Sequence, residues 1–293
     1  MPGIYWSSAG RRRPEERYQQ ILQRWPVPAA QFRFPTVKGE TFVLACGPPS
    51  APPLMLFHGG LSNASTWMSQ VPAWASHFRI YCVDTIGDPG FSAASRPSFA
   101  TDEHALWLDD VWVALKLTQA SVVGWSLGGW LGLDYAARRP NRVSSLVCLA
   151  PAGIVRMRAD TIIKLLGLMV LGPWGRRKAF FTSMGFSNPV PEDLNAFVDF
   201  SLQSEVRPRS KLPGLFTAQM LSALRMPVMV VLGEQDVFFD AAKSRRRLEA
   251  HVPSSEIHSM TGVGHGLFGY REIILKFLLN HHNMELKPLT TVA

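Results

Sequence analysis

Ser126 is the first candidate for chemistry, because it stands between two glycines at Gly-x-Ser-x-Gly spacing in the stretch GWSLGG. A β-branched run precedes it, and a helix-like run from Leu127 to Arg139 follows it and is ended by Pro140. A serine on a sharp turn between a strand and a helix is the setting of a nucleophile elbow. At such a turn the Leu127 N–H and the helix dipole can stabilise an oxyanion. The spacing alone does not distinguish an elbow from an ordinary glycine-rich bend.

A serine nucleophile needs a base, and His265 is the candidate that the chain offers. It lies in the stretch GVGHG, after the last predicted strand and before the last predicted helix. A glycine-rich loop at the carboxyl edge of a parallel sheet can carry an imidazole to Ser126. We therefore predict that His265 is the base.

The acid that orients the base is predicted to follow a strand as well. The stretch GEQD comes directly after the apolar run Val228–Leu232, and Asp236 is our choice, with Glu234 and Asp240 as rivals. The apolar run Ser145–Leu149 is followed by APAG, which contains no acidic residue. A carboxylate after Leu232 would accept a hydrogen bond from His265, fix its tautomer and stabilise the imidazolium.

A second oxyanion donor is expected in the loop after the apolar run Leu54–Phe57, which reads HGGL. Glycines there let backbone N–H groups approach a substrate oxygen. Gly60 is the predicted donor, and Leu61 is the alternative. His58 is interpreted as a structural residue that holds the loop by side-chain hydrogen bonds.

The elements that must position these residues alternate between strand-like and helix-like segments, which predicts an α/β fold with a doubly wound, mostly parallel sheet. Continuous apolar runs are typical of strands buried on both faces. An antiparallel hairpin, QFRFPTV and TFVLACG, precedes them. The predicted parallel strands are Leu54–Phe57, Arg79–Val83, Val122–Gly124, Ser145–Leu149, Val228–Leu232 and Glu256–Ser259.

Two segments depart from this alternation. Residues 154–226 show amphipathic pieces rich in Leu, Met, Phe and Trp but no strand pattern, which predicts a helical insertion that forms a cap, or lid, over Ser126. Residues 1–30 form an extension before the hairpin, with a helix expected near Tyr18–Trp25. The predicted domains are therefore a core in two parts, 1–153 and 227–293, and the cap between them.

The amino-acid composition bears on the size of the core and on the cellular location of the protein. Of the 293 residues 47% are hydrophobic, so the chain can build a sizeable core. Cys46, Cys82 and Cys148 are an odd number without metal spacing, and we interpret them as buried free thiols, which suits a reducing cytosol. The N-terminus has no apolar region typical of a secretory signal, and no apolar run is long enough to span a bilayer. A cytoplasmic location is predicted.

The formal net charge of +8 raises the question of an acidic partner. Basic clusters stand at Arg11–Arg13, Arg176–Lys178 and Arg245–Arg247. They could mark a nucleic-acid or membrane-surface contact, but they are short, far apart and not interleaved with stacking aromatics. We interpret them as solvated surface and expect no nucleic-acid partner. The chain is expected to act as a monomer or a homodimer.

The ordered set of motifs resembles the α/β-hydrolase fold family, of the capped serine-esterase or carboxylesterase type. The motifs that carry the resemblance are HGGLSNASTW (58–67), DTIGDPGFS (84–92), GWSLGG (124–129), GEQD (233–236) and GVGHG (262–266). The resemblance implies Ser126 as nucleophile, Asp236 as acid and His265 as base, with the Gly60 and Leu127 backbones as oxyanion hole. The family often has Asp-x-Arg-Gly-x-Gly-x-Ser in the second motif. The arginine is missing here, so Asp84 and Asp88 are assigned to loop bracing.

The predicted function is hydrolysis of carboxylic esters of small to medium, largely apolar substrates, through an acyl-enzyme and without a cofactor or metal. The residues expected to bind substrate are Trp125, Met157, Trp174, Phe181 and Phe238. A carbon–carbon bond hydrolase, lactonase, amidase or cofactor-free perhydrolase would use the same triad. A ligand-sensing protein that keeps the triad is the alternative from another class. Haloalkane dehalogenases and epoxide hydrolases of the family place Asp where Ser126 stands, so they are disfavoured.

Overall fold

The centre of the computed structural model is an eight-stranded sheet in the order β1-β2-β4-β3-β5-β6-β7-β8. The structure describes residues 4–5, 8–186, 190–203, 206, 209 and 211–282. The strands are β1 (Ala29–Phe34), β2 (Thr41–Cys46), β3 (Pro53–Phe57), β4 (Arg79–Val83), β5 (Ala120–Trp125), β6 (Val143–Leu149), β7 (Val228–Gly233) and β8 (Glu256–Met260).

The sheet is mostly parallel, as predicted. The β1–β2 hairpin is antiparallel, and β2 also runs antiparallel to β4. From β4 through β3, β5, β6 and β7 to β8 every neighbouring pair is parallel. The loops that carry the predicted site therefore follow the carboxyl ends of four parallel strands, β3, β5, β7 and β8, and reach one edge of the sheet.

The described part of the chain contains ten α-helices. They are α1 (Ser8–Leu22), α2 (Val71–Trp74), α3 (Glu103–Ala114), α4 (Leu127–Arg138), α5 (Ala159–Met169), α6 (Gly172–Met184), α7 (Asn195–Gln203), α8 (Ala218–Ser222), α9 (Ala241–His251) and α10 (Arg271–Asn280).

The sheet separates two apolar layers, as the period of two along a strand requires. In β3, Leu54 and Leu56 join one buried cluster, whereas Met55 and Phe57 join the other. The first layer includes α1, α2 and α10, and the second includes α3, α4 and α9. Burial on both faces explains why β3 reads as a continuous apolar run rather than an alternating one.

The N-terminal helix differs from the expectation. It begins at Ser8 and ends at Leu22, so it starts ten residues before the predicted helix near Tyr18–Trp25. Tyr18 anchors it, because the buried phenol donates a hydrogen bond of 2.9 Å to the Asp84 carboxylate. The N-terminal extension thus packs against the loop that follows β4.

The chain between β6 and β7 contains α5, α6, α7 and α8. In its described residues the only strand-like pairing is an isolated bridge between Val206 and Tyr5. The described part of residues 154–226 is therefore rich in helix, while the domain limits 1–153, 154–226 and 227–293 stay a prediction. We call residues 154–226 the helical insertion.

The three cysteines are buried and unpaired, as expected for structural thiols. Burial raises the pKa of the Cys46 thiol to about 11. None of the described helices combines the length and the apolar character that a membrane crossing needs.

Candidate active site

Ser126 occupies a strained turn between β5 and α4. Its φ is 54° and its ψ is −110°, a conformation that a non-glycine residue adopts only when the surroundings impose it. The surroundings are close-packed: a Cβ on Gly124 would lie 2.2 Å from the Gly128 carbonyl oxygen, and a Cβ on Gly128 would lie 2.0 Å from the Phe57 oxygen. The glycines on either side of the serine are therefore required by backbone contacts.

The structure brings Ser126, His265 and Asp236 together. The His265 Nε2 lies 2.9 Å from the Ser126 hydroxyl oxygen, and its Nδ1 lies 2.7 Å from Asp236 Oδ2. The carboxylate can only accept, so Nδ1 carries the proton and Nε2 is left to accept the serine proton. His265 and Asp236 are both buried.

Asp236 is held by its own turn. Its second oxygen, Oδ1, accepts from the Phe238 N–H at 2.7 Å and from the Phe239 N–H at 3.2 Å. Of the two rival acids, Glu234 is exposed. Asp240 instead caps α9, where its carboxylate accepts from the Lys243 N–H at 2.9 Å. Asp236 is thus the acid that contacts the imidazole.

The His265 loop is tied to the residue before Ser126. The Trp125 indole N–H donates a hydrogen bond of 3.0 Å to the His265 carbonyl oxygen. The Trp125 ring also contacts His265, Phe197 and Phe268, with ring centroids 5.1–5.7 Å apart among this group. Trp125 therefore lines the cavity and also holds the backbone of His265.

Gly60 and Leu127 lie side by side at the cavity, since a Cβ on Gly60 would come within 3.5 Å of the Leu127 side chain. The Leu127 N–H is the first of α4, so it has no intrahelical acceptor. The alternative donor Leu61 gives its N–H to the Asp88 carboxylate at 3.2 Å, in a left-handed conformation with φ of 61°. The His58 ring bonds to Gly59 O through Nδ1 and accepts from the Thr85 N–H at Nε2, which matches the structural role expected for it.

Asp84 and Asp88 both brace loops, and Asp88 also lines the cavity that contains Ser126. Asp84 accepts from the Tyr18 hydroxyl and from the backbone N–H groups of Ala64 and Phe91. Burial raises the pKa of the Asp84 carboxyl, and these donors partly offset the shift.

Ser126 and His265 open into a cavity of about 440 Å³. Of the residues expected to bind substrate, Trp125, Met157 and Phe238 line this cavity. Trp174 does not line it, because it lies on the outer side of α6 and is 65% exposed. Phe181 also lies outside the lining, because it packs between Phe180, Phe186 and the Arg177 guanidinium.

The helical insertion supplies much of the cavity wall. Its lining residues are Met157, Leu165, Met169, Arg176, Ala179, Phe180, Ser183, Met184, Phe197, Ser201, Leu202, Val206, Arg209, Leu212 and Pro213. Most of them are apolar, so the insertion gives the space above Ser126 a largely apolar wall.

A buried ion pair in the wall was not foreseen. Arg209 Nη2 lies 3.1 Å from Asp88 Oδ2, and both side chains are at least nine-tenths buried. The same guanidinium donates to the Ile86 carbonyl oxygen and lies over the Phe99 ring, 5.3 Å from its centroid. Asp88 thus joins the helical insertion to the Leu61 turn. The only signal in the sequence was the unusual DPG after the fourth strand.

A metal site is not formed by the part of the chain that the structure describes, since no three His, Cys, Asp or Glu side chains group suitably there. The Ser126 site is built from a hydroxyl, an imidazole, a carboxylate and backbone N–H groups.

Comparison with known proteins places the chain in a family. Residues 52–180 match the alpha/beta hydrolase fold family. The uncharacterized carboxylesterase nap of Bacillus subtilis (strain 168) is 31% identical over 257 residues, with 86% of each chain covered. Carboxylesterase YbfK of the same organism is 29% identical, with 85% of this chain and 86% of the relative covered. The crystal structure of a naproxen esterase (carboxylesterase NP) from Bacillus subtilis superposes with a TM-score of 0.83 at 29% identity, covering 94% of this chain and 99% of that one. The chain belongs to the α/β-hydrolase carboxylesterases.

Proposed function

We propose that this protein hydrolyses carboxylic esters of small to medium, largely apolar substrates, with Ser126 as nucleophile, His265 as general base and acid, and Asp236 as its orienting acid. The observation that carries the proposal is the continuous relay of 2.9 Å and 2.7 Å hydrogen bonds from the Ser126 hydroxyl through the imidazole to a buried carboxylate. Membership of the carboxylesterase family supports an ester rather than another acyl substrate.

In the first half-reaction Ser126 Oγ attacks the ester carbonyl while His265 Nε2 takes its proton. The carbonyl oxygen becomes an oxyanion next to the Gly60 and Leu127 N–H groups, with the positive end of the α4 dipole behind Leu127. His265 then gives the proton to the leaving alkoxide, and the alcohol departs from an acyl-Ser126 ester.

In the second half-reaction His265 removes a proton from water, which attacks the acyl carbonyl and releases the acid and the free serine. Asp236 stays ionised throughout and stabilises the imidazolium. No step needs a metal or an organic cofactor.

The cavity supports an apolar substrate of limited size. Its volume of about 440 Å³ lies at the lower end of the range for small-molecule sites. Arg209, one of two arginines in its wall, is already paired with Asp88, and most of the remaining lining is apolar, so a neutral ester suits the space better than a charged one. We propose short to medium acyl chains as the preferred group.

The test is turnover of p-nitrophenyl esters of increasing acyl length by the wild type, Ser126→Ala and Ser201→Ala. Ser201 lines the same cavity but makes no contact with His265, so its loss is expected to change turnover by less than about threefold. Ser126→Ala is expected to lose about 10⁶-fold in kcat. Retained turnover in Ser126→Ala would contradict the proposal.

Labelling by a fluorophosphonate followed by peptide mapping locates the nucleophile directly. A panel of esters, lactones, amides and carbon–carbon substrates then separates the ester hydrolase from the other chemistries of the same triad. A single slow labelling event without turnover of any ester would favour the ligand-sensing alternative.

A further inference from the structure

The outer side of α5 and of the start of α6 exposes a group of large apolar side chains. We call it the apolar tip: Ile163, Leu166, Val170, Leu171 and Trp174. Val170 is 83% exposed and Ile163 is 71% exposed. Monomeric proteins rarely expose contiguous apolar surface of this kind unless it contacts something.

The tip is a helix face turned to solvent. Ile163, Leu166 and Val170 follow one another at i, i+3 and i+7, which places them on one side of α5. No residue of α5 is buried, although the helix is mostly apolar. Folding of the described chain therefore leaves this stripe uncovered, and core packing does not explain it.

Basic residues flank the tip along the chain. Residues 154–186 hold six basic residues and one acidic residue, Asp160. The basic residues are Arg156, Arg158, Lys164, Arg176, Arg177 and Lys178, and all of them are exposed. An apolar face with a tryptophan and a rim of arginine and lysine is the composition of a segment that lies in a membrane interface.

The tip also adjoins the cavity. Leu165 and Met169 of α5, and Arg176 of α6, line the space above Ser126 while their neighbours along the helices form the exposed face. A surface bound to the tip would therefore lie beside the cavity.

We propose that the apolar tip and its basic rim dock on an anionic lipid bilayer. Esters dissolved in that bilayer then reach Ser126 from the side of the tip, a consequence that rests on the proposed function. The charge distribution selects the lipid over a second copy of this chain. A symmetric dimer through the tip would bring two rims of six positive charges together, whereas anionic headgroups neutralise them.

Docking is tested without catalysis, by sedimenting the Ser126→Ala protein with vesicles of phosphatidylcholine alone or with about one third phosphatidylglycerol. The double variant Ile163→Gln/Val170→Gln is expected to bind the anionic vesicles at least about tenfold more weakly. The control Val113→Gln, on α3 and similarly exposed at 67%, is expected to bind as the parent does.

The rim is tested by Arg177→Gln/Lys178→Gln, which is expected to weaken binding to the anionic vesicles about thirtyfold. Its matched control is Lys116→Gln/Lys276→Gln, which removes the same charge from two exposed lysines, one just after α3 and one on α10, and is expected to retain most of the binding.

Absence of vesicle binding by the parent, or equal losses in the tip variants and their controls, overturns the proposal. Conversion of a dimer into a monomer by Ile163→Gln/Val170→Gln, with no vesicle binding, assigns the tip to a subunit contact instead. With Ser126 present, the tip variant is expected to hydrolyse soluble p-nitrophenyl acetate within about twofold of wild type, since neither residue lines the cavity. Failure of the proposed function would remove that turnover without changing vesicle binding.

Discussion

Replacement of Arg209 by methionine is expected to destabilise the protein by about 3 kcal/mol, although methionine fills a similar volume. The reason is Asp88, which is 1% exposed and would lose the ion-pair partner that compensates its burial. Breaking a buried ion pair from one side usually costs about 3–5 kcal/mol. The lower end applies because Arg96 interacts with both members and its repulsion from Arg209 would be relieved.

The double variant Asp88→Asn/Arg209→Met is expected to recover most of this loss, to within about 1 kcal/mol of wild type. Asparagine keeps an oxygen that can accept from the Leu61 N–H, while the uncompensated charge is gone. Recovery by a second substitution separates the effect of the charge from the effect of lost packing at Arg209.

Urea unfolding followed by tryptophan fluorescence gives both free energies by linear extrapolation. A single variant as stable as wild type would refute the argument that the unpaired carboxylate matters. A double variant no more stable than Arg209→Met would show that the loss comes from packing or from the bond to Ile86 O, rather than from charge.

Three further outcomes are expected. Asp236→Asn should lower kcat by about 10⁴-fold in the p-nitrophenyl ester assay, while Glu234→Gln stays near wild type; the reverse result would move the acid to Glu234. Burial lowers the pKa of His104 from 6.5 to about 4. Between these two values His104 is therefore protonated in the unfolded chain and neutral in the folded one. Stability should therefore fall by about 2 kcal/mol between pH 8 and pH 5, and His104→Phe should remove that part of the fall in urea titrations. Gly128→Ala should destabilise by about 3 kcal/mol or more, because backbone oxygens obstruct the new methyl group, whereas Gly167→Ala, with nothing within 4 Å, should stabilise by up to about 1 kcal/mol. Equal melting temperatures for the two glycine variants would contradict the close packing at the elbow.

The sheet and the candidate triad could be predicted because both leave local signals. Strands such as β5 and β7, buried on both faces, read as unbroken apolar runs, and Ser126 and Asp236 each follow the end of such a run. His265 follows the partly exposed β8, and its signal was the glycine-rich loop GVGHG. The fold family and ester hydrolysis agree with these signals. The catalytic roles of the three residues stay a prediction until they are tested.

The helical insertion gave weaker signals. In α6, apolar and basic residues alternate without one clear apolar face, so the sequence could not tell that Trp174 points outward while Phe180 lines the cavity. The pairing of Arg209 with Asp88 joins residues 121 positions apart and has no local pattern. The early start of α1 was missed because its first residues, SAGRRRPEE, have no apolar period.

Trp125 has a mechanical consequence. It directly precedes Ser126 in the chain, and its indole N–H donates a 3.0 Å hydrogen bond to the His265 carbonyl oxygen. We therefore expect a displacement of the β5 end to move the hydroxyl and the imidazole in the same direction. The distance of 2.9 Å between Ser126 Oγ and His265 Nε2 is therefore expected to change less than the position of either loop, because the rigid indole ring connects the two loops.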